Sequence, residues 1–390
     1  AFRALGLRCA TPDLDPTFWE DAPGDCTLGS TTINSIYEPF NGLIQIPVVV
    51  HIIMNTTGSG VISDALVQSQ IDILNEDYLA LTGTNGENGT YGAIQFELAT
   101  EDPLGNPTTG IMRYNNTTWY NDSGSYWLSI EWDPTRYINV YTNSAGGALG
   151  YVPAIPQAGV AGNSGDRIVV LYSAFGRNAP IGAPYDQGRT LTHEMGHYLG
   201  LLHTFSSGCQ PVANCYNNGD LICDTNAEQS PVFGCPGSIS SCSTPNPYHN
   251  YMDYSDDLCM EEFTPEQVNR MRCTLENWRP DLPLSAGPVG VETVAAARSA
   301  GMLRQNVPNP FSPVTTIAFD LPVAGNATLR VLDVAGRTVR TLADGTYSAG
   351  RHDVTWNGTD DAAGSVAAGV YFYRLETSAG TETRRMVKMK

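Results

Sequence analysis

Apolar positions come in short blocks through the first 280 or so residues and in a two-residue alternation towards the end of the chain. Ile44 to Met54 alternates and then runs apolar, which predicts a buried strand. Ser63-Asp64 opens a helical pattern in which Leu66, Ile71, Leu74 and Tyr78 recur at helical spacing. Further short strands are predicted at Ile94 to Ala99, Tyr137 to Tyr141 and Asp166 to Tyr172. Strands on either side of a helix imply a mixed sheet backed by that helix, an α+β arrangement. From Gly188 to Leu202 the pattern is helical again, with Leu191, Met195, Tyr198 and Leu199 forming an apolar stripe and His193 and His197 offset from it. Residues 204 to 262 are dense in Gly, Pro, Asn, Asp and Cys and need cross-links or ions to hold one shape. Thr264-Pro265-Glu266-Gln267 reads as a cap opening a closing helix that runs to about Asn277.

Beyond it, residues 281–302 are rich in Pro, Gly, Ala and Ser and read as a linker. Strand patterns follow at Thr315 to Leu321, Thr328 to Val334, His352 to Trp356, Val370 to Glu376 and Glu382 to Met389. The turn signals Ala335-Gly336, Asp344-Gly345 and Asn357-Gly358 separate them, and the spacing predicts a small all-β sandwich. The organisation expected is a leader over residues 1–40, a larger α+β unit over 41–280, a linker over 281–302 and a sandwich over 303–390.

Charge and cysteine content narrow the function. The net charge of −19 argues against nucleic acid and anionic membranes as partners. Residues 1–300 carry 11 Arg, no Lys and 32 acidic residues, whereas 301–390 carry 10 basic and 8 acidic ones, so the two halves differ in origin or task. The longest apolar runs are too short for a transmembrane segment. Seven of the 9 Cys fall between Cys209 and Cys273, which suggests disulfides and an oxidising compartment. The chain opens at Ala1 without Met or an apolar leader, as a chain would whose signal peptide has been removed for export. A secreted or cell-surface protein is the expectation.

The chemistry lies in His193-Glu194-Met195-Gly196-His197. Two imidazoles four residues apart share one helical face and can reach one metal. Glu194, beside the first of them, can take a proton from water without ligating, as a general base for hydrolysis must. Gly200 and His203 complete H-E-x-x-H-x-x-G-x-x-H, the metzincin signature, in which the helix breaks at the glycine and a third histidine returns to the metal. Three His ligands leave a fourth position open, unlike a closed structural zinc site.

With His193 to Phe205, Gly219-Asp220, Asp224-Thr225, Gly234-Cys235-Pro236 and His249 to Thr264, the chain resembles the pappalysin family of metzincins, close to its bacterial members, over roughly residues 40–280. The resemblance implies a zinc-dependent endopeptidase acting on protein or peptide substrates, with Glu194 as base, Tyr254 stabilising the oxyanion and Met252 in a Met-turn beneath the metal. It implies calcium sites too, for which Asp220, Asp224 and Thr225 offer oxygen ligands. Asp257 would line the pocket for the side chain after the scissile bond, favouring cleavage before Arg or Lys. The family pattern pairs Cys209 with Cys242 and Cys235 with Cys259. Cys215 and Cys223 could close a local loop, and Cys26 could pair with Cys273. Arg8-Cys9-Ala10-Thr11 resembles the Arg-Cys-Gly-Thr of some pappalysin pro-segments, so Cys9 either holds the open zinc position in a latent form or pairs with Cys26. Residues 305–390 resemble the Ig-like sorting domains of type IX secretion and those of flagellar hook-assembly proteins, which implies export machinery as a partner. A cell-surface binding protein with a vestigial or blocked metal site is the alternative of another class.

Overall fold

The computed structural model describes residues 8–12, 35–39, 42–209, 215, 219–283 and, with short gaps, 303–389. The chain divides into two compact units, the first running to Gly287 and the second from Pro288.

Strand β1 (Ile44–Met54) organises the first unit, and eight of its residues in a row are buried. Its first half pairs with β2 (Ile94–Leu98) and its second half with β3 (Ile111–Asn115), while β4 (Ile138–Asn143) lies along the other side. All three pairings are parallel. The sheet continues through β6 (Ile168–Leu171) to β5 (Gly150–Tyr151), the one antiparallel strand, at the edge. Parallel neighbours need a crossover, and helix α1 (Asp64–Tyr78) supplies it between β1 and β2. Ser63 caps α1 by accepting from the Leu66 amide, and Val67, Ile71, Leu74 and Tyr78 form its buried stripe. These residues pack with Ile46, Val48, Val50 and Ile52 from one face of β1 and with Leu191 and Met195 of helix α2 (Arg189–Tyr198). Helix α3 (Pro265–Trp278) starts with a full capping box between Thr264 and Gln267 and closes this core through Val268, Met271 and Leu275. Between α2 and α3 lies the irregular region, whose only strands among the described residues are the small hairpin β7 (Ser240–Ser241) and β8 (Thr244–Pro245).

Neither β3 nor β5 is anticipated by the sequence pattern: β3 is barely buried and β5 is two residues long, so neither shows an apolar period. The opposite face of β1 carries His51, buried and stacked against Tyr141 at 4.5 Å, with Nε2 bonded to Asn139 at 2.9 Å.

The second unit contains a four-stranded antiparallel sheet and a two-stranded antiparallel pair, around Phe319, Trp356 and Tyr373. These strands are β9 (Thr315–Leu321), β10 (Gly325–Leu332), β11 (Thr338–Tyr347), β12 (Gly350–Trp356), β13 (Gly369–Thr377) and β14 (Gly380–Lys388). One expectation is corrected. Asp344-Gly345 is not a turn but part of β11, opposite Thr328 and Ala327. The Thr328 hydroxyl donates to the Asp344 carboxylate at 3.0 Å, so a turn-forming pair is held extended by its neighbour strand.

Candidate active site

Helix α2 presents both halves of the chemistry from one buried turn. The Nε2 atoms of His193 and His197 are 3.2 Å apart, and that of His203 lies 3.0 Å from that of His197. The opposite ring nitrogens are fixed: His193 Nδ1 donates to the Tyr251 carbonyl at 2.7 Å and His197 Nδ1 to the Leu201 carbonyl at 2.8 Å. Both Nε2 lone pairs therefore turn inward, which is what a zinc ion requires of imidazole. Burial, then the neighbouring imidazoles, keep His193 and His197 well below the ordinary histidine range and hence neutral.

His203 reaches the cluster because the helix stops. Gly200 has φ of +92°, and a Cβ there would stand 2.6 Å from the Thr274 hydroxyl. Below the cluster, a Cβ on Gly196 would lie 2.4 Å from the Met252 sulfur, so only glycine lets the Met252 turn pack directly against α2. Asp77 of α1 accepts from the Tyr251 hydroxyl at 2.8 Å and the Thr192 hydroxyl at 2.6 Å, tying α1 to the turn whose carbonyl holds His193.

The described residues 8–12 lie in the same place. Cys9 forms a parallel bridge to Gly150 of β5, and the Ala10 amide donates to the Gly150 carbonyl at 3.0 Å. Cys9 is a free, buried thiol, and its sulfur and the three histidine nitrogens all lie within 4.8 Å of one another. Three imidazoles and a thiol this close together make a donor set that fits zinc. Among the described residues this is the one cluster of three or more His, Cys, Asp or Glu able to hold a metal. The Cys9 thiol donates to Glu194 Oε2 at 3.5 Å and the Thr11 hydroxyl to the same oxygen at 3.0 Å. Burial pushes the Glu194 carboxyl up to about 8, against the pull of Cys9, Thr11 and Arg8. Burial, and then Glu194, raise the Cys9 thiol well above its usual value. The Tyr254 hydroxyl lies 3.2 Å from His203 Nε2 and 3.4 Å from the Cys9 carbonyl.

Beside the cluster a pocket is filled by Arg8. Its guanidinium meets Asp257 Oδ1 at 3.0 Å and the Met260 sulfur at 3.0 Å, donates to the Tyr254 and Ser255 carbonyls, and stacks on Tyr185 at 4.9 Å. Both partners of the pair are buried. Asp257 Oδ2 accepts from the Gln187 amide at 2.9 Å and the Arg189 amide at 3.3 Å, which fixes the carboxylate across the pocket. Burial raises the Asp257 carboxyl while Arg8 lowers it.

The other sequence candidates are dispersed. Asp220 accepts from the Thr225 hydroxyl at 2.6 Å, but Asp224 turns away to cap α3 at the Glu266 amide, 2.9 Å. Disulfides join Cys209 to Cys242, Cys215 to Cys223 and Cys235 to Cys259. A Cys26–Cys273 pairing lies outside the described residues, because Cys26 does. Arg8 and Thr11 entered the sequence reading only as part of the Arg8-Cys9-Ala10-Thr11 motif, and no role was assigned to them, to Tyr185 or to Met260. Only the place of Arg8 beside Cys9 could have pointed to the first, since the rest meet through tertiary contacts.

A mostly parallel sheet with one antiparallel edge strand, an active-site helix, three converging imidazoles and an adjacent carboxylate define a zinc metallopeptidase. Residues 121–276 match the family described as pregnancy-associated plasma protein-A, and residues 312–381 the FlgD Ig-like domain. An extracellular metalloprotease of Colletotrichum graminicola is 34% identical over 246 residues, 60% of this chain and 78% of that one. One of Coccidioides posadasii is 34% identical over 245 residues, with 60% and 78% covered. Among solved structures, a Tannerella forsythia promirolysin mutant matches with a TM-score of 0.55 and 31% identity, over 66% of this chain and 88% of that one. Mature mirolysin in complex with a cleaved peptide matches with a TM-score of 0.52 and 33% identity, over 62% and 96%. The chain belongs to the pregnancy-associated plasma protein-A family of metallopeptidases, and is a secreted metalloendopeptidase followed by an Ig-like unit.

Proposed function

We propose that the chain is a latent endopeptidase that, once freed of its leader, cuts proteins on the amino side of Arg or Lys. The observation that carries this reading is Arg8: a basic side chain of the leader fills the pocket whose carboxylate is Asp257, as a substrate's basic side chain would. Cys9 beside it supplies the fourth donor around the histidines and so accounts for latency.

His193, His197 and His203 would hold zinc, with Cys9 completing the set in the latent form. Zinc bound there supplies Lewis acidity, polarising a peptide carbonyl and making water a better nucleophile near neutral pH. Glu194 Oε2, which Thr11 and Cys9 cover in the latent chain, accepts the proton of the attacking water and returns it to the leaving amine. Tyr254, anchored beside His203, donates to the oxygen that gains negative charge. The edge strand β5 offers free backbone groups to an extended peptide, as the leader's bond to Gly150 illustrates. Asp257 selects the residue after the scissile bond. Asp220, Thr225 and Asp224 would contribute to calcium binding that braces the loop between α2 and α3, and the Ig-like unit would serve as a sorting domain read by type IX export machinery.

The test is digestion of a proteome-derived peptide library by the leader-free enzyme, reading new amino termini by mass spectrometry against Glu194→Ala. Termini rich in Arg and Lys, absent with the variant, are expected. Any other preference discards the role given to Asp257 while keeping the peptidase.

A further inference from the structure

We propose that this peptidase cannot unlock itself: its leader is cut by a second endopeptidase that does not depend on a basic residue. The inference rests on the preceding reading, that Cys9 holds the chain latent and that cleavage occurs before Arg or Lys.

The reason lies in where basic residues are missing. After Arg8 the next Arg or Lys is Arg113. Freeing Cys9 from the histidines requires a cut between Pro12, which follows Thr11, and Ile44, where β1 begins. No bond in that stretch precedes a basic side chain.

The two nearest alternatives do not help. A cut before Arg8 leaves Arg8, Cys9 and Thr11 in one piece with the rest of the chain, with their contacts to Asp257, the histidines and Glu194 intact. A cut before Arg113 falls inside β3, where Arg113 stands opposite Ile52 of β1 and pairs with Asp64. It would open the central sheet and leave the cleft filled. The enzyme's own specificity thus makes self-cleavage futile at one site and destructive at the other.

The same stretch carries Asp13, Asp15, Glu20, Asp21, Asp25 and Glu38, besides Phe18 and Trp19. Hydrolysis of the Glu20–Asp21 bond consumes one water and leaves a carboxylate on Glu20 and an ammonium on Asp21. The cut leader is then a separate peptide. It loses the effective concentration that covalent linkage gave it and leaves the cleft on dilution.

The zinc-loaded full chain is incubated alone at rising concentrations and followed by intact mass and by hydrolysis of an Arg-containing peptide. Wild type is expected to keep its mass and stay inactive at every concentration. Asp21→Arg is expected to convert itself, faster at higher concentration, with a new amino terminus at position 21. A glutamate-directed endopeptidase cutting wild type at that same bond is expected to yield the same activity. Wild type that gains activity by itself with a new terminus between residues 13 and 43, while Glu194→Ala does not, overturns the proposal. Two further results overturn it by removing its premises, and they are distinguishable: full activity of the uncut chain sinks latency, and cuts before non-basic residues by the trans-cleaved enzyme sink the specificity.

Discussion

Asp257 and Arg8 form one buried pair, and the proposed preference for basic residues rests on it. The carboxylate is held by two backbone amides and faces a guanidinium that is also met by two carbonyls and the Tyr185 ring. A planar cation uses all of these partners, whereas an ammonium uses fewer. The leader-free enzyme is expected to cleave before Arg about tenfold faster than before Lys, measured as kcat/KM on paired peptides. Asp257→Asn is expected to lower kcat/KM on the Arg peptide by about 100-fold, because the incoming cation would be buried without its counter-charge. His51 gives a pH signature far from the metal. Burial holds it at about 4, so between its unfolded value near 6.5 and about 4 the unfolded chain binds the extra proton. Its effect is nil above that window, and stability falls as pH drops through it, by about 3 kcal/mol in all. The difference in denaturation midpoint between wild type and His51→Phe should follow this course from pH 7 to 4. A flat difference would remove His51 from the account.

At the scale of elements, α2 and its stop carry the site. Gly196→Ala would drive a methyl into Met252, and the expected outcome is a loss of about 1–3 kcal/mol in denaturant together with weaker zinc retention in chelator competition. The helices were legible in the sequence because each has both a period and a signal at its end: Ser63 for α1, Gly200 for α2 and Thr264 with Gln267 for α3. Strands β1, β4 and β6 were legible as buried apolar runs. Strand β5 was not, since two residues carry no period, yet it is the strand on which the leader docks. Asp344-Gly345 misled for the opposite reason: local turn preference yielded to pairing with β10.

For the whole molecule, the proposed latency makes residues 8–12 and the histidine cluster one device. Cys9→Ala removes a donor from the metal cluster, so the uncut variant is expected to hydrolyse the Arg peptide while uncut wild type does not, and the two should match once their leaders are cut. The sequence by itself determined the class of enzyme, the cluster of histidines proposed to hold the metal and the order of the two folded units, because these follow from spacing along one helix and from local composition. Only the tertiary structure decided where residues 8–12 lie, how Asp257 is aimed and how Asp77 is tied to the segment that holds His193. Those contacts join residues up to 252 positions apart, as between Arg8 and Met260, and no local pattern encodes a contact whose two halves are brought together by the sheet.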